Sequence, residues 1–146
     1  MIRNSPLPKN VAELLPEAFE YLRSEEDILF AYLFGSLAGG RLGPLSDLDI
    51  AVYLAEKVSF AEKKLEILGN LVDILGTDEI DLVVLNKAPL TLRMKILENK
   101  KIIVDKVPFL RHRYESLTMR KYFDFAFKES SILRTRFLHG RQDARP

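Results

Sequence analysis

The 146-residue sequence contains no cysteine, which excludes a disulfide scaffold, a thiolate zinc site and a cysteine nucleophile. Long apolar runs are also absent. The longest, Ile28 to Phe34, has seven residues, whereas a transmembrane helix needs about 20. The N-terminus lacks the apolar core of a signal peptide, so we expect a cytoplasmic protein without membrane contact. A composition of 47% hydrophobic and 29% charged residues is typical of a globular domain that needs no covalent cross-link.

The net charge of only +1 conceals an uneven distribution. Residues 1–86 contain 7 Lys and Arg against 15 Asp and Glu, whereas residues 87–146 contain 15 against 6. An acidic half joined to a basic half suggests a site that takes cations on one side and anions on the other. The alternative is a basic helical surface without a binding role. No helix-turn-helix pattern stands out, so direct nucleic-acid binding is not indicated.

Hydrophobic periodicity predicts alternating helices and strands, and therefore an α/β (α+β) fold with a small mixed sheet backed by helices. We expect strands at Ile28–Phe34, Asp47–Leu54, Ile80–Leu85 and Lys101–Asp105. We expect helices at about Val11–Arg23, from Ser59 to a stop at Gly76, at Leu90–Glu98 and from Pro108 onward. Residues 1–106 would form the core, and residues 107–146 a C-terminal helical extension packed on the same domain. The extension carries a predicted buried stripe at Leu110, Tyr114, Leu117, Tyr122, Phe125, Ile132 and Leu133.

Two aspartates stand at the head of the second strand. Because side chains alternate along a strand, Asp47 and Asp49 project from one face, while Leu48, Ile50 and Val52 project from the other. Like charges on one face repel each other, and a divalent cation removes that repulsion. Carboxylate oxygens suit Mg²⁺, which takes one or two carboxylates together with waters and substrate phosphates. The alternative is that both aspartates lie at a solvated strand entrance and bind nothing.

Two further features support a metal site at Asp47 and Asp49. Gly35-Ser36 directly follows a buried strand, where glycine allows a close phosphate approach and the following N–H groups and hydroxyl donate hydrogen bonds. Asp81 opens the third strand, which the intervening helix returns beside the strand of Asp49. Neighbouring strands are about 4.8 Å apart, so Asp81 can reach the same metal cluster. Taken singly, an ordinary turn and a solvated strand entrance explain these residues equally well.

Gly35-Ser36, ten intervening residues and Asp47-Leu-Asp49 match the nucleotidyltransferase signature of the DNA polymerase β-like superfamily. The small size and the ending, with His112-Arg-Tyr114-Glu115, resemble the minimal nucleotidyltransferases called MNT antitoxins, which are commonly paired with a HEPN-domain toxin. The resemblance covers about Phe19 to Leu138 and is strongest over Phe34 to Tyr53.

The resemblance implies a minimal nucleotidyltransferase fold and Mg²⁺-dependent transfer of AMP from ATP to a tyrosine hydroxyl of the toxin, which inactivates it. It implies that Asp47, Asp49 and Asp81 are the catalytic and metal-binding residues, and that they hold two Mg²⁺ ions. Gly35 and Ser36 would bind the nucleotide phosphates. The partners would be the HEPN toxin and ATP, in a homo- or hetero-oligomer.

The sequence departs from the resembled pattern at one position. Many relatives have an arginine where this chain has Gly39. Arg41 is the candidate nucleotide-binding residue that would replace that charge, and the alternative is that it points to solvent. Two other functions therefore stay open: a non-catalytic antitoxin that acts by direct binding, and a nucleotidyltransferase that modifies a small molecule or an RNA end.

Overall fold

Helices and strands alternate along residues 11–35 and 48–143, which the computed structural model describes, except for the side chains of residues 11, 133 and 135–143. The elements are α1 (Val11–Ser24), β1 (Ile28–Phe34), β2 (Leu48–Leu54), α2 (Phe60–Leu75), β3 (Ile80–Val84), a 3-10 turn (Leu85–Lys87), α3 (Leu90–Glu98), β4 (Lys101–Asp105) and α4 (Pro108–Asp143). None of the helices in these residues is long and apolar enough to cross a membrane.

The four strands form one mixed sheet in the order β3-β2-β1-β4. β2 and β3 run parallel, joined by α2, whereas β1 pairs antiparallel with both β2 and β4. Consequently the first residues of β2 and β3 lie at the same end of the sheet as the last residues of β1. Phe34, Asp49 and Asp81 therefore lie at that end.

Both faces of the sheet are covered by helices. Leu48, Ile50 and Val52 belong to the core cluster on the side of α1 and α2, together with Leu22 and Leu71. On the other face, the cluster contains Phe30, Tyr32, Phe34, Ala51, Leu85 and Ile96, with Leu92, Leu110 and Tyr114 packed against it from α3 and α4. The mixed sheet backed by helices and the alternation predicted for β2 are therefore confirmed.

Aromatic rings fasten α4 to the second face of the sheet. Phe30 and Tyr53 stack with ring centroids 4.7 Å apart, and the Tyr114 ring meets both of them edge-on at 5.7 and 5.4 Å. The Tyr114 hydroxyl donates a 2.8 Å hydrogen bond to the carbonyl oxygen of Leu85. Burial is the main reason that the pKa of Tyr114 rises to about 12. Tyr53 and Tyr114 therefore pack α4 against the sheet.

The ends of the predicted helices are close to the observed ones. α1 begins at Val11 and continues through Pro16. Ser59 is the N-cap of α2, but its side chain makes no capping hydrogen bond. Gly76 ends α2 as predicted: its φ of 69° is left-handed, and its N–H donates to the carbonyl oxygen of Val72.

The predicted buried stripe of α4 is wrong in its distal part. Leu110 and Tyr114 pack on the sheet, and Thr118 is almost fully buried. Three and five turns beyond Tyr114, on the same side of the helix, Phe125 is 50% exposed and Ile132 is 53% exposed. The apolar spacing continues along the helix, but past Thr118 no element of the described residues covers it.

Candidate functional site

Asp49 and Asp81 lie side by side on neighbouring strands. They are register partners in the parallel pairing of β2 with β3, and Phe34 of β1 is the partner of Asp49 on its other side. Partners in a ladder project from the same face of a sheet. Asp49 is half-buried and Asp81 is exposed. The sequence-based expectation that the crossover places these two carboxylates together agrees with this register.

Gly35 directly follows β1 and lies against the carboxylate of Asp49. Its φ of 75° is in the left-handed region, which residues other than glycine rarely adopt. A Cβ atom at this position would overlap the Oδ2 atom of Asp49 and lie 3.1 Å from its Cγ. A glycine is therefore required here both by the backbone conformation and by the close approach of the carboxylate.

Gly35, Asp49 and Asp81 all line one cavity of about 210 Å³. Phe34, Gly35, Asp49 and Asp81 line it from the sheet, and Leu92, Lys95 and Asn99 line it from α3. Lys95 thus lies near the carboxylates and brings a positive charge to the site. Sequence reasoning missed Lys95 and Asn99. Their spacing of four residues places them on one side of a helix, but that pattern also fits a solvated helix surface.

Three of the predicted site residues, Ser36, Arg41 and Asp47, lie outside the described residues. Within residues 11–35 and 48–143 there is no group of three or more acidic or histidine side chains that could hold a metal ion. Two adjacent carboxylates fit Mg²⁺ nevertheless, since this ion uses one or two carboxylates and completes its shell with water and substrate phosphates.

The site thus combines two carboxylates from neighbouring strands with a glycine turn at one end of a layered α/β domain. The family "Polymerase beta, Nucleotidyltransferase" matches residues 17–108, more than half of the chain. The chain therefore belongs to the polymerase beta nucleotidyltransferase family, and the superfamily resemblance found in the sequence is confirmed.

Solved structures share this fold over most of their length. A toxin-antitoxin with AMP-PNP has a TM-score of 0.65 at 22% identity and covers 86% of this chain and 97% of its own. The toxin-antitoxin MntA-HepT has a TM-score of 0.63 at 21% identity, with coverages of 86% and 98%. A complex of a tri-AMPylated Shewanella oneidensis HEPN toxin with MNT antitoxin has a TM-score of 0.57 at 21% identity, with coverages of 88% and 93%. At these identities the similarity establishes a common fold. No curated protein sequence gives a significant match.

Proposed function

We propose that this chain is the antitoxin of a toxin-antitoxin pair and transfers AMP from ATP to a tyrosine hydroxyl of a HEPN-domain toxin. The observation that carries the proposal is the pairing of Asp49 with Asp81 beside Gly35 in one cavity. The solved structures that share the fold support the choice of partner, since they are toxin-antitoxin complexes, one with AMP-PNP and one with a tri-AMPylated HEPN toxin.

In the proposed site, Asp49 and Asp81 would hold Mg²⁺ together with Asp47. When bound, Mg²⁺ neutralises phosphate charge and stabilises the attacking and departing oxygens of an in-line displacement. The absence of a side chain at Gly35 accommodates the Asp49 carboxylate, and the Lys95 ammonium would provide a positive charge for the nucleotide phosphates. Positioning and charge neutralisation supply most of the catalysis in phosphoryl transfer.

The transfer is a single displacement that needs no covalent intermediate on this chain. The tyrosine oxygen forms a bond to the α-phosphorus, and the bond from that phosphorus to the oxygen bridging the β-phosphate breaks. Pyrophosphate leaves with the electron pair of the broken bond. The phenolic proton passes to the carboxylate of Asp81, which is exposed and therefore accessible from the acceptor side.

The distal part of α4 supports a protein partner. Phe123 and Phe127 are 61% and 75% exposed, one turn apart, while Phe125 and Ile132 are exposed on the opposite side. Large apolar side chains that are exposed together are typical of protein interaction surfaces. We assign this surface, residues 119–132 of α4, to contact with the toxin.

The test combines the purified chain with Mg²⁺, α-labelled ATP and a purified HEPN-domain toxin, and the neighbouring reading frame is the first place to search for that toxin. We expect label on the toxin, and a loss of at least about 100-fold in Asp49→Asn and in Asp81→Asn. Asp73→Asn, at an exposed position of α2, is the matched control and should keep its activity. Lys95→Met should raise the KM for ATP, and Lys95→Arg should restore it.

The result separates the remaining alternatives. A chain that neutralises the toxin by tight binding, with no label transferred at any Mg²⁺ concentration, would be a non-catalytic antitoxin. Label that appears on a small molecule or on RNA, but not on the toxin, would replace the proposed acceptor.

A further inference from the structure

A second cavity, of about 370 Å³, adjoins the candidate site along β3. Asp81 and Leu92 line both cavities, so the two adjoin at these residues. Leu82 and Val83 also line the second cavity, although they project from opposite faces of the sheet. A cavity that contacts both faces lies at the edge of the strand, and we call it the β3 groove. Its walls are completed by Phe60, Ala61 and Lys64 of α2 and by Lys87, Ala88 and Pro89.

β3 is a terminal strand of the sheet. It pairs with β2 on one side, and no strand within residues 11–35 and 48–143 pairs with its other side. The outward N–H and C=O groups of such a strand are a template for an added strand, and extended peptides bind many proteins in this way. The β3 groove therefore offers backbone hydrogen bonds to an extended segment that ends beside Asp81.

The end of the groove away from Asp81 is positively charged. Lys64 and Lys87 are both exposed, and neither forms an ion pair within the described part of the chain. The Lys87 ammonium lies 5.5 Å from the centre of the Phe60 ring, which holds it at the groove wall. Lys87 follows β3, and Val84 lies about 10 Å along the strand from Asp81 at the usual rise per residue. This charge favours an acidic segment.

We infer that the acceptor protein enters the site as an extended segment added to the free edge of β3, with acidic residues three or four positions from its acceptor tyrosine. The inference rests on the proposed function, because it assigns the acceptor subsite of that reaction. Three observations support an acidic extended segment as the occupant: the β3 groove adjoins Asp81, the outer edge of β3 is open, and two lysines lie at the far end of the groove.

The first experiment measures binding without ATP. Three nine-residue probes carry a central tyrosine: one has glutamates three and four positions away on both sides, one has lysines there, and one is the acidic peptide with alternate backbone amides N-methylated. Fluorescence anisotropy with Mg²⁺ present should show the acidic peptide binding roughly tenfold more tightly than the basic one. N-methylation should weaken binding roughly fivefold, because it removes the donors of an added strand.

Charge-reversal variants test whether Lys64 and Lys87 cause the preference for the acidic peptide. Lys64→Glu combined with Lys87→Glu should reverse the preference between the acidic and basic peptides. Lys101→Glu, on the opposite edge strand β4, is the control and should leave both affinities unchanged. Equal binding of the two peptides, an unaffected N-methylated peptide, or an equal effect of Lys101→Glu would overturn the inference.

Failure of the inference is distinguishable from failure of the proposed function. If the wild-type chain labels the toxin and the double variant does so with an unchanged KM for the toxin, the β3 groove is not the acceptor subsite and the transfer activity stands. If the peptides bind as expected while no toxin is labelled, the proposed reaction is wrong and the groove remains a binding site for acidic extended segments.

Discussion

The Tyr32 hydroxyl donates a 2.6 Å hydrogen bond to Glu115, which joins the middle of the sheet to the first turns of α4. Arg111 lies 3.2 Å from the same carboxylate and 3.0 Å from Asp105 at the end of β4. Burial, followed by the hydrogen bond to Glu115, raises the pKa of Tyr32 far above its ordinary value. This network fixes the proximal part of α4, while the distal part has no comparable attachment among the described residues.

Removal of Glu115 should destabilise the domain. Glu115→Ala leaves the Arg111 guanidinium buried with one of its two carboxylate partners missing, and we expect a loss of about 3 kcal/mol in the free energy of unfolding. Glu129→Ala, exposed on the same helix, should change it by less than about 0.5 kcal/mol. Urea unfolding followed by circular dichroism measures both, and equal effects would show that the network contributes nothing.

Three glycines provide a matched series for the contact of Gly35 with Asp49. Gly35→Ala should reduce nucleotidyl transfer by at least about 100-fold, since the new methyl group displaces the carboxylate. Gly76→Ala has similar backbone strain but no neighbour within 4 Å, so it should cost about 1 kcal/mol of stability and no activity. Gly69→Ala, inside α2 with open space, should stabilise the chain by about 0.5–1 kcal/mol. Full activity in Gly35→Ala would contradict the placement of Asp49.

Alkaline pH should destabilise the fold in part through Tyr114. Its pKa is about 12 in the folded state and 10.0 ordinarily, so the folded state holds the phenolic proton more tightly. This contribution is fully present below pH 10 and is lost as the pH rises from 10 to 12. Tyr114→Phe should cost about 1 kcal/mol at neutral pH, from the lost hydrogen bond to Leu85. The variant should lose less stability than the wild type in urea unfolding between about pH 10 and pH 12.

The exposed phenylalanines of α4 should matter for binding and not for folding. Phe123→Ser together with Phe127→Ser should weaken binding of the toxin at least about tenfold, since these side chains would be desolvated in the complex. Thermal unfolding should change little, because neither side chain is buried here. Phe109→Ser, equally exposed at the start of α4, is the control. Isothermal titration calorimetry checks the expectation, and unchanged affinity in the double variant would place the toxin elsewhere.

Strands and most helix ends could be predicted because burial dictates them. The apolar run Ile28–Phe34 is β1, and the alternation after Leu48 separates two cores. The pairing of Asp49 with Asp81 was also predictable, because a strand-helix-strand unit places consecutive parallel strands side by side.

Features that depend on distant packing could not be predicted. The spacing of Phe125 and Ile132 is that of a buried stripe, but periodicity does not reveal where the covering elements end. Lys95 and Asn99 enter the site because α3 packs over the end of the sheet, and no local pattern encodes that packing. The placements of Ser36, Arg41 and Asp47, and the domain boundary at residue 107, stay predictions.

The open edge of β3 has a consequence for solubility. A five-residue strand with one open edge can pair with the same strand of another molecule, and a charge on such a strand is the usual protection against that self-association. Asp81 supplies this charge at the exposed position of β3. We therefore expect Asp81→Asn to precipitate at a lower concentration than Asp49→Asn, because only the first substitution removes a charge from the exposed edge.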